Sequence, residues 1–89
     1  MMERMLTVEN QNGIHARPSA AIVSCVSKYD CEVKLETPDG EADGKSIMEI
    51  LMLKIVVGTN VKIIASGPDE EKVLDDLEAL FKDHFGVKE

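Results

Sequence analysis

The sequence has no excess of positive charge and no long hydrophobic run. Ten Lys and Arg residues stand against seventeen Asp and Glu residues, so the formal net charge is −7. Because nucleic-acid binding requires a clustered basic face and the chain is acidic overall, no nucleic-acid partner is expected. The most apolar stretch, residues 47–57, is interrupted by Glu49 and Lys54 and is shorter than the roughly 20 residues that span a bilayer. With neither a membrane span nor an export signal indicated, we expect a cytoplasmic protein.

Cysteine is scarce, and its two residues form no recognisable cluster. Cys25 and Cys31 do not belong to a C-x-x-C pair, and no His and Cys group has metal-ligand spacing. We expect two free thiols packed as small hydrophobic groups, with no metal and no cofactor. Repeats, linkers and low-complexity segments are also absent, so residues 1–89 are expected to form one domain with a single core.

The hydrophobic pattern predicts the element order β-α-β-β-α-β-α. Strands are expected where apolar and polar residues alternate, in segments 6–10, 31–36, 41–43 and 61–66. Helices are expected over 16–28, over 47–54 and in the segment that Gly67 and Pro68 open and Gly86 ends. Helices with a single apolar stripe cover only one side of a sheet. The pattern therefore predicts an α+β fold with one helical layer on a mostly antiparallel four-stranded sheet.

Helical spacing also predicts which side chains are buried. In the first helix the expected stripe consists of Ala16, Ala20, Val23 and Ser27, with Ile22 and Val26 beside it. In the last helix the expected buried side consists of Val73, Leu77, Leu80, Phe81 and Phe85.

The stretch NGIHARPSA, residues 12–20, places His15 at the expected start of the first helix. Gly13 permits the backbone turn before it, and Pro18 loses no hydrogen bond so early in a helix. A phosphate carried on the His15 imidazole would meet unpaired backbone N–H groups and the positive end of the helix dipole. Arg17 adds a charge that can bind phosphate oxygens. Taken alone, the stretch still favours a plainer explanation, in which His15 is a weak cap and Arg17 a solvated charge.

A second stretch, GKSIMEILML, covers residues 44–53. Ser46 followed by Glu49 is a capping-box pattern, which explains Ser46 structurally. Ile50 and Leu53 are the natural core pair of this short helix. Three more apolar residues are then left partly exposed and predict a protein-contact surface: Ile47, Met48 and Leu51. A deeply buried helix is the alternative.

The two stretches together resemble the HPr family, the histidine phosphocarriers of the bacterial phosphotransferase system. G-I-H-A-R-P-S at residues 13–19 and G-K-S-I-M-x-x-L-M-L at residues 44–53 carry the resemblance, which extends over essentially the whole chain. The runs at 50–53 and 66–71 are somewhat more similar to the nitrogen-type branch. The resemblance implies an open-faced β-sandwich with sheet order 1-4-2-3, and a monomeric carrier rather than a stand-alone catalyst.

The resemblance also implies roles for individual residues. His15 would accept a phosphoryl group, through Nδ1, from enzyme I charged by phosphoenolpyruvate, and would pass it to an EIIA domain. Arg17 would be its electrostatic partner, and Gly13 and Pro18 would shape the phosphate site at the helix N-terminus. Ser46 corresponds to the regulatory site of members that serve HPr kinase/phosphorylase. The docking surface would consist of Ala16, Ala20, Ile47, Met48 and Leu51.

Lys54 and Val57 depart from the family pattern, which often has a small residue at the first position and a polar one at the second. These two departures leave open which partners the protein prefers, but they do not affect the phosphoryl-transfer chemistry. His84 has no motif around it and is expected to be exposed.

Two other functions stay open at this point. A hydrolase of the acylphosphatase kind would need an arginine phosphate cradle near the N-terminus, and Arg4 and Arg17 do not form such a loop. A regulatory binding module, including one of the nitrogen-type phosphotransferase system that is not coupled to sugar transport, is the second alternative. The retained His15 counts against a module that has lost phosphotransfer.

Overall fold

The computed structural model describes residues 1–86. Within that range the chain forms four strands, three α-helices and one 3-10 turn, in the predicted order. The strands are β1 (Met2–Thr7), β2 (Glu32–Thr37), β3 (Gly40–Asp43) and β4 (Asn60–Ser66). The helices are α1 (Ala16–Val26), α2 (Ile47–Met52) and α3 (Glu70–Lys82), and His84–Gly86 forms the 3-10 turn.

The strands form one antiparallel sheet in the order β1-β4-β2-β3. Leu35 on β2 lies opposite Ile63 on β4 and Ala42 on β3, and Leu6 on β1 lies opposite Val61. These residues are all buried, whereas their neighbours along each strand are exposed or half-buried. Because side chains alternate between the two faces of a strand, one face carries the core under the helices. The predicted fold class and strand order are confirmed.

The helical layer contributes the other half of the core. The apolar side chains of the helices that are completely buried are Ile22 and Val26 on α1, Ile50 on α2, and Val73, Leu74 and Leu77 on α3. The rings of Phe81 and Phe85 meet edge to face at 4.7 Å between centroids and close the core at the end of α3. Leu80, expected to be buried, is half-buried.

The predicted buried stripe of α1 is wrong. Its small residues are largely exposed: Ala16, Ala20 and Ser27 face solvent, and Val23 is half-buried. The helix instead buries the neighbouring stripe, which consists of Pro18, Ser19, Ile22, Cys25 and Val26. The physical reason is area, because burying an isoleucine or valine removes far more apolar surface from water than burying an alanine.

Several predicted element ends are also wrong. β1 ends at Thr7 rather than Asn10, because Val8 bonds the loop residues Gly58 and Thr59 rather than continuing the β1–β4 ladder. α3 begins at Glu70, with Asp69 as its N-cap, so that Pro68 precedes the helix. α3 also ends at Lys82, before Gly86, which lies in the following 3-10 turn.

The other two helices are each two residues shorter than expected. α1 ends at Val26 rather than residue 28, and α2 ends at Met52 rather than residue 54. At the end of α2, Lys54 adopts a positive φ of 51°, which cannot continue a right-handed helix.

The two thiols are free and buried, as predicted. Burial is the main cause that raises the pKa of the Cys25 thiol to about 11, and the nearby Asp76 carboxylate raises it further. Cys25 is therefore a protonated packing group near neutral pH. No helix formed by residues 1–86 has the length and apolar character that crossing a membrane requires.

Candidate functional site

His15 is the N-cap residue of α1. Its backbone is extended, with φ −107° and ψ −159°, and its carbonyl accepts the first helical hydrogen bond from Ser19 N at 3.0 Å. Its side chain makes no cap hydrogen bond. The imidazole as a whole is half-buried, and its Nε2 atom is buried. His15 is therefore the N-cap through its backbone, and its ring adds no hydrogen bond to the cap.

The loop before His15 is held in one conformation by a buried asparagine. Asn10 Nδ2 donates a hydrogen bond to the Gly13 carbonyl, and Gly13 N donates to the Asn10 carbonyl at 3.1 Å. Asn10 is fully buried, although its position in a polar loop gave no sign of this. A polar side chain at such a depth is retained for its hydrogen bonds, and here they fix the turn that leads into α1.

The same loop is joined to the segment that follows α2. Ile14 N donates to the Ile55 carbonyl at 2.9 Å, and Gly13 adopts φ 68° against that carbonyl. A Cβ at position 13 would collide with the Ile55 oxygen and would lie 2.9 Å from the Val56 Cα. Gly13 is thus required both for its positive φ and for this close approach. Sequence reasoning found Gly13 but not Ile55, whose contact is non-local.

Arg17 and Pro18 lie in the first turn of α1, two and three residues after His15. The Arg17 side chain is exposed and makes no ion pair with another residue in the range 1–86. No acidic residue occurs in this turn. The Pro18 ring is buried and lacks an N–H group, which costs little where helical N–H groups have no partner. The helix start therefore has an exposed cation and no competing carboxylate within its own turn, and the first N–H groups of a helix have no partner within it.

Ser46 is the N-cap of α2, and its hydroxyl oxygen accepts a hydrogen bond from Glu49 N at 3.2 Å. The return half of the capping box differs from the prediction. Glu49 Oε1 accepts from Asp43 N at 3.1 Å, while Ser46 N donates to the Asp43 carbonyl at 3.0 Å. Ser46 is half-buried and so stays partly open to solvent. Ser46 therefore caps α2, and its side chain is still accessible to solvent.

The outer side of α2 and the segment after it carry exposed apolar side chains. Ile50 and Leu53 are buried, as predicted, while Ile47 and Met48 are 40% and 73% exposed and Leu51 is half-buried. Three further residues extend this α2 patch beyond the prediction, namely Met52, Val56 and Val57. The signal for Met52 was the presence of apolar residues on almost every side of the predicted helix, of which only one stripe can face the sheet. The alternative of a deeply buried α2 is wrong.

Ala16 and Ala20 lie on the exposed side of α1, which packs against α2. The structure thus brings α1 and α2 into contact, as the expected docking surface requires. His84 is exposed in the 3-10 turn. Residues 1–86 contain no group of three or more His, Cys, Asp or Glu side chains placed to hold a metal ion.

Comparison with known proteins agrees with this geometry. The family model described as "PTS HPr component phosphorylation site" matches residues 2–83. The phosphocarrier protein HPr of Cupriavidus necator is 36% identical over 89 residues, covering all of both chains. The phosphocarrier protein NPr of Escherichia coli K12 is 33% identical over 85 residues and covers 94% of each chain. The crystal structure of HPr-C-His from Thermoanaerobacter tengcongensis superposes with a TM-score of 0.92 at 35% identity, covering all of both chains.

A four-stranded sheet of order 1-4-2-3 under three helices, with a histidine at the start of the first helix, defines a histidine phosphocarrier. The chain belongs to the HPr family of the phosphotransferase system. The acylphosphatase-like alternative is set aside because both the sequence family and the fold match HPr proteins.

Proposed function

We propose that His15 accepts a phosphoryl group from phospho-enzyme I and passes it to an EIIA domain in the cytoplasm. The observation that carries the proposal is the position of His15, at the N-cap of α1 with no side-chain capping bond, inside the matched phosphorylation-site family. The unpaired N–H groups of the first turn and the helix dipole would stabilise a phosphate there.

The chemistry is a phosphoryl exchange. A ring nitrogen of neutral His15 attacks the phosphorus carried by the donor, so an N–P bond forms on His15 as the bond between phosphorus and the donor breaks. A second exchange delivers the group to the acceptor: the acceptor's bond to phosphorus forms as the N–P bond of His15 breaks. Because Nε2 is buried, we assign the attack to Nδ1, with the ring proton held on Nε2. The protein supplies position and charge, and it acts as a carrier that turns over only with its partners.

Arg17 neutralises part of the phosphate charge in this proposal. Its guanidinium is exposed, and no carboxylate in its own turn competes for it. A guanidinium can donate two parallel hydrogen bonds to phosphate oxygens. Its role is to bind the transferred group rather than to move a proton.

Docking of enzyme I and of the EIIA domain is assigned to one surface. We propose that Ala16 and Ala20 on α1, together with Ile47, Met48 and Leu51 on α2, form its centre. Small side chains beside His15 let a partner approach closely, and exposed methionines adapt to different partners. Because both partners would use the same surface, a monomeric carrier would bind them in turn.

Ser46 is proposed as a regulatory phosphorylation site for an HPr kinase/phosphorylase. Its hydroxyl is partly accessible, and a phosphate at an N-cap is compatible with the helix dipole. A dianion beside Ile47 and Met48 would instead oppose burial of those side chains under a partner. The modification would therefore act on docking rather than on folding.

A second candidate function is a regulatory carrier of the nitrogen-type phosphotransferase system, not coupled to sugar transport. The similarity to the phosphocarrier protein NPr of Escherichia coli K12 favours it, whereas the similarity to HPr of Cupriavidus necator favours the first. The two candidates share the chemistry at His15 and differ in the partners.

One experiment tests both candidates. The protein is incubated with phosphoenolpyruvate and either a sugar-type or a nitrogen-type enzyme I, and phosphate uptake per chain is followed over time. The proposal predicts uptake of a single acid-labile phosphate and its loss when a matching EIIA domain is added. The enzyme I that transfers faster identifies the branch. Failure of both enzymes to transfer phosphate would contradict the carrier function.

A further inference from the structure

Lys54 has a backbone conformation that is unusual for a residue with a side chain. Its φ is 51°, in the left-handed region, directly after Leu53, the C-cap of α2. Its N–H donates to the Leu51 carbonyl at 3.1 Å, which fixes the turn that ends the helix. Glycine adopts this conformation without a steric cost, whereas a lysine that adopts it is strained by its Cβ. The side chain is exposed and makes no ion pair with another residue in the range 1–86.

The segment that contains Lys54 runs antiparallel to the loop that contains His15. Near one end, Val8 N donates to the Thr59 carbonyl at 2.9 Å and Gly58 N donates to the Val8 carbonyl at 2.8 Å. Near the other end, Ile14 N donates to the Ile55 carbonyl at 2.9 Å. Residue numbers rise along one segment as they fall along the other.

His15 follows Ile14 and Lys54 precedes Ile55, so the two residues are the next pair along from the Ile14–Ile55 hydrogen bond. The flexible four-carbon stem of a lysine gives its ammonium group the reach to meet a phosphoryl group on the ring of a residue this near.

We propose that Lys54 is a second cation for the phosphoryl group carried by His15, acting beside Arg17. The inference rests on the proposed function of His15 and deepens it. The protein carries a net charge of −7, so a doubly charged phosphoryl group needs local positive charge to offset an unfavourable background. Lys54 stabilises the dianionic form, lowers the pKa of the phosphoryl group and favours phosphate on this protein over phosphate on its donor.

The test loads His15 without any partner protein, in a His84→Ala background, because the reagent would also phosphorylate the exposed His84. Phosphoramidate donates its phosphoryl group to the imidazole: its P–N bond breaks, ammonia leaves and one N–P bond forms on His15. The phosphorus NMR signal is then titrated with pH in the parent protein and in four variants. Lys54→Gln removes the charge, Lys54→Arg keeps it, Lys54→Gly removes it while relaxing the backbone, and Lys28→Gln is an exposed-lysine control at the other end of α1.

The proposal predicts that Lys54→Gln and Lys54→Gly raise the phosphoryl pKa by about half a pH unit, as expected for an exposed ion pair. Lys54→Arg and Lys28→Gln should leave it unchanged, and 1 M salt should remove most of the difference. An unchanged pKa in Lys54→Gln, or a rise confined to Lys54→Gly, would overturn the proposal. Failure of enzyme I to phosphorylate a protein that phosphoramidate loads normally would instead contradict the proposed function, and the titration would still decide the role of Lys54.

Discussion

Ile14 and Ile55 are joined by a 2.9 Å hydrogen bond from the Ile14 N–H group to the Ile55 carbonyl. This bond connects the loop that presents His15 to the segment that follows α2. The carrier residue and the proposed docking patch are thus fixed to each other through the backbone, rather than through flexible side chains. A carrier that must place its phosphoryl group accurately on two partners benefits from such rigidity.

Gly13 is where this connection is most sensitive. We predict that Gly13→Ala will destabilise the protein, because the new methyl group would collide with the Ile55 carbonyl. The matched control is Gly86→Ala, which has a similar φ of 74° but no atom of residues 1–86 within 4 Å of the added Cβ. The control should lose about 1 kcal/mol of unfolding free energy from backbone strain. Gly13→Ala should lose roughly 1–3 kcal/mol more and accept phosphate more slowly.

Urea unfolding of both variants measures this difference. Equal losses in the two proteins would show that only the positive φ matters at position 13 and that the approach to Ile55 is not tight.

Arg17 is predicted to speed phosphoryl transfer without being essential. Arg17→Ala should slow transfer from enzyme I by about tenfold, the effect of removing roughly 1.4 kcal/mol of charge-assisted hydrogen bonding. The helix N–H donors remain in the variant, so labelling should still reach completion. Arg17→Lys keeps the charge but loses the paired donors, so its transfer rate should lie between those of the parent protein and Arg17→Ala. Stopped-flow or rapid-quench kinetics would measure these rates. If Arg17→Ala transferred phosphate as fast as the parent protein, Arg17 would have no role in transfer.

Ser46 allows capping and docking to be separated. Ser46→Ala should lose about 1 kcal/mol of stability, since the acceptor for Glu49 N disappears, and should transfer phosphate normally. Ser46→Asp should keep its melting temperature, because aspartate also caps helices, yet receive phosphate from enzyme I much more slowly. Melting curves and transfer rates on the same two proteins give the comparison. If Ser46→Asp received phosphate at the rate of the parent protein, Ser46 would act only as a helix cap and not as a regulatory site.

Cys25 provides a pH-dependent test of the core. Its pKa is raised to about 11 by burial and by Asp76, so at pH 8 roughly one thiol in a thousand is ionised. Alkylation by iodoacetamide should therefore be about a hundredfold slower in the folded protein than in urea-unfolded protein at that pH. The raised pKa also means that folding favours the protonated thiol. This stabilisation is complete below the unfolded-state pKa and is lost as pH rises through the folded-state value.

Unfolding free energies between pH 8 and 11 check the sign of this effect. The parent protein should lose more stability over that range than Cys25→Ala, which has no thiol to ionise. Equal pH dependence in the two proteins would show that Cys25 is not the group responsible.

Much of the fold was predictable because its signals are local. The alternation of Val33 and Leu35 with charged residues indicated a half-buried strand, and Ser46 with Glu49 indicated a helix start. The buried side of α1 was not predictable from spacing alone, because two adjacent stripes both fit a helix. The stripe that contains Ile22 and Val26 is the buried one, because these side chains have the larger apolar areas. That choice becomes clear only when the helix is packed on the sheet.

The candidate site divides in the same way. His15 and Arg17 stand in one contiguous motif, so their position at the start of α1 could be predicted. The contact between Ile14 and Ile55 could not, because it joins segments about forty residues apart and leaves no local pattern. The bonds between Asn10 and Gly13 are local, but the polar loop gave no sign that Asn10 is buried. Lys54 was visible only as a departure from a family pattern, because its nearness to the His15 loop follows from the non-local bond between Ile14 and Ile55.

The central claim is that His15 alone carries the phosphoryl group, and the chain's other histidine provides the control. The parent protein, His15→Ala and His84→Ala are each incubated with enzyme I and phosphoenolpyruvate, and intact mass is measured after quenching at alkaline pH. The account predicts one added phosphate on the parent and on His84→Ala, and none on a folded His15→Ala. A phosphate that persists on His15→Ala, or one that disappears in a folded His84→Ala, would contradict it.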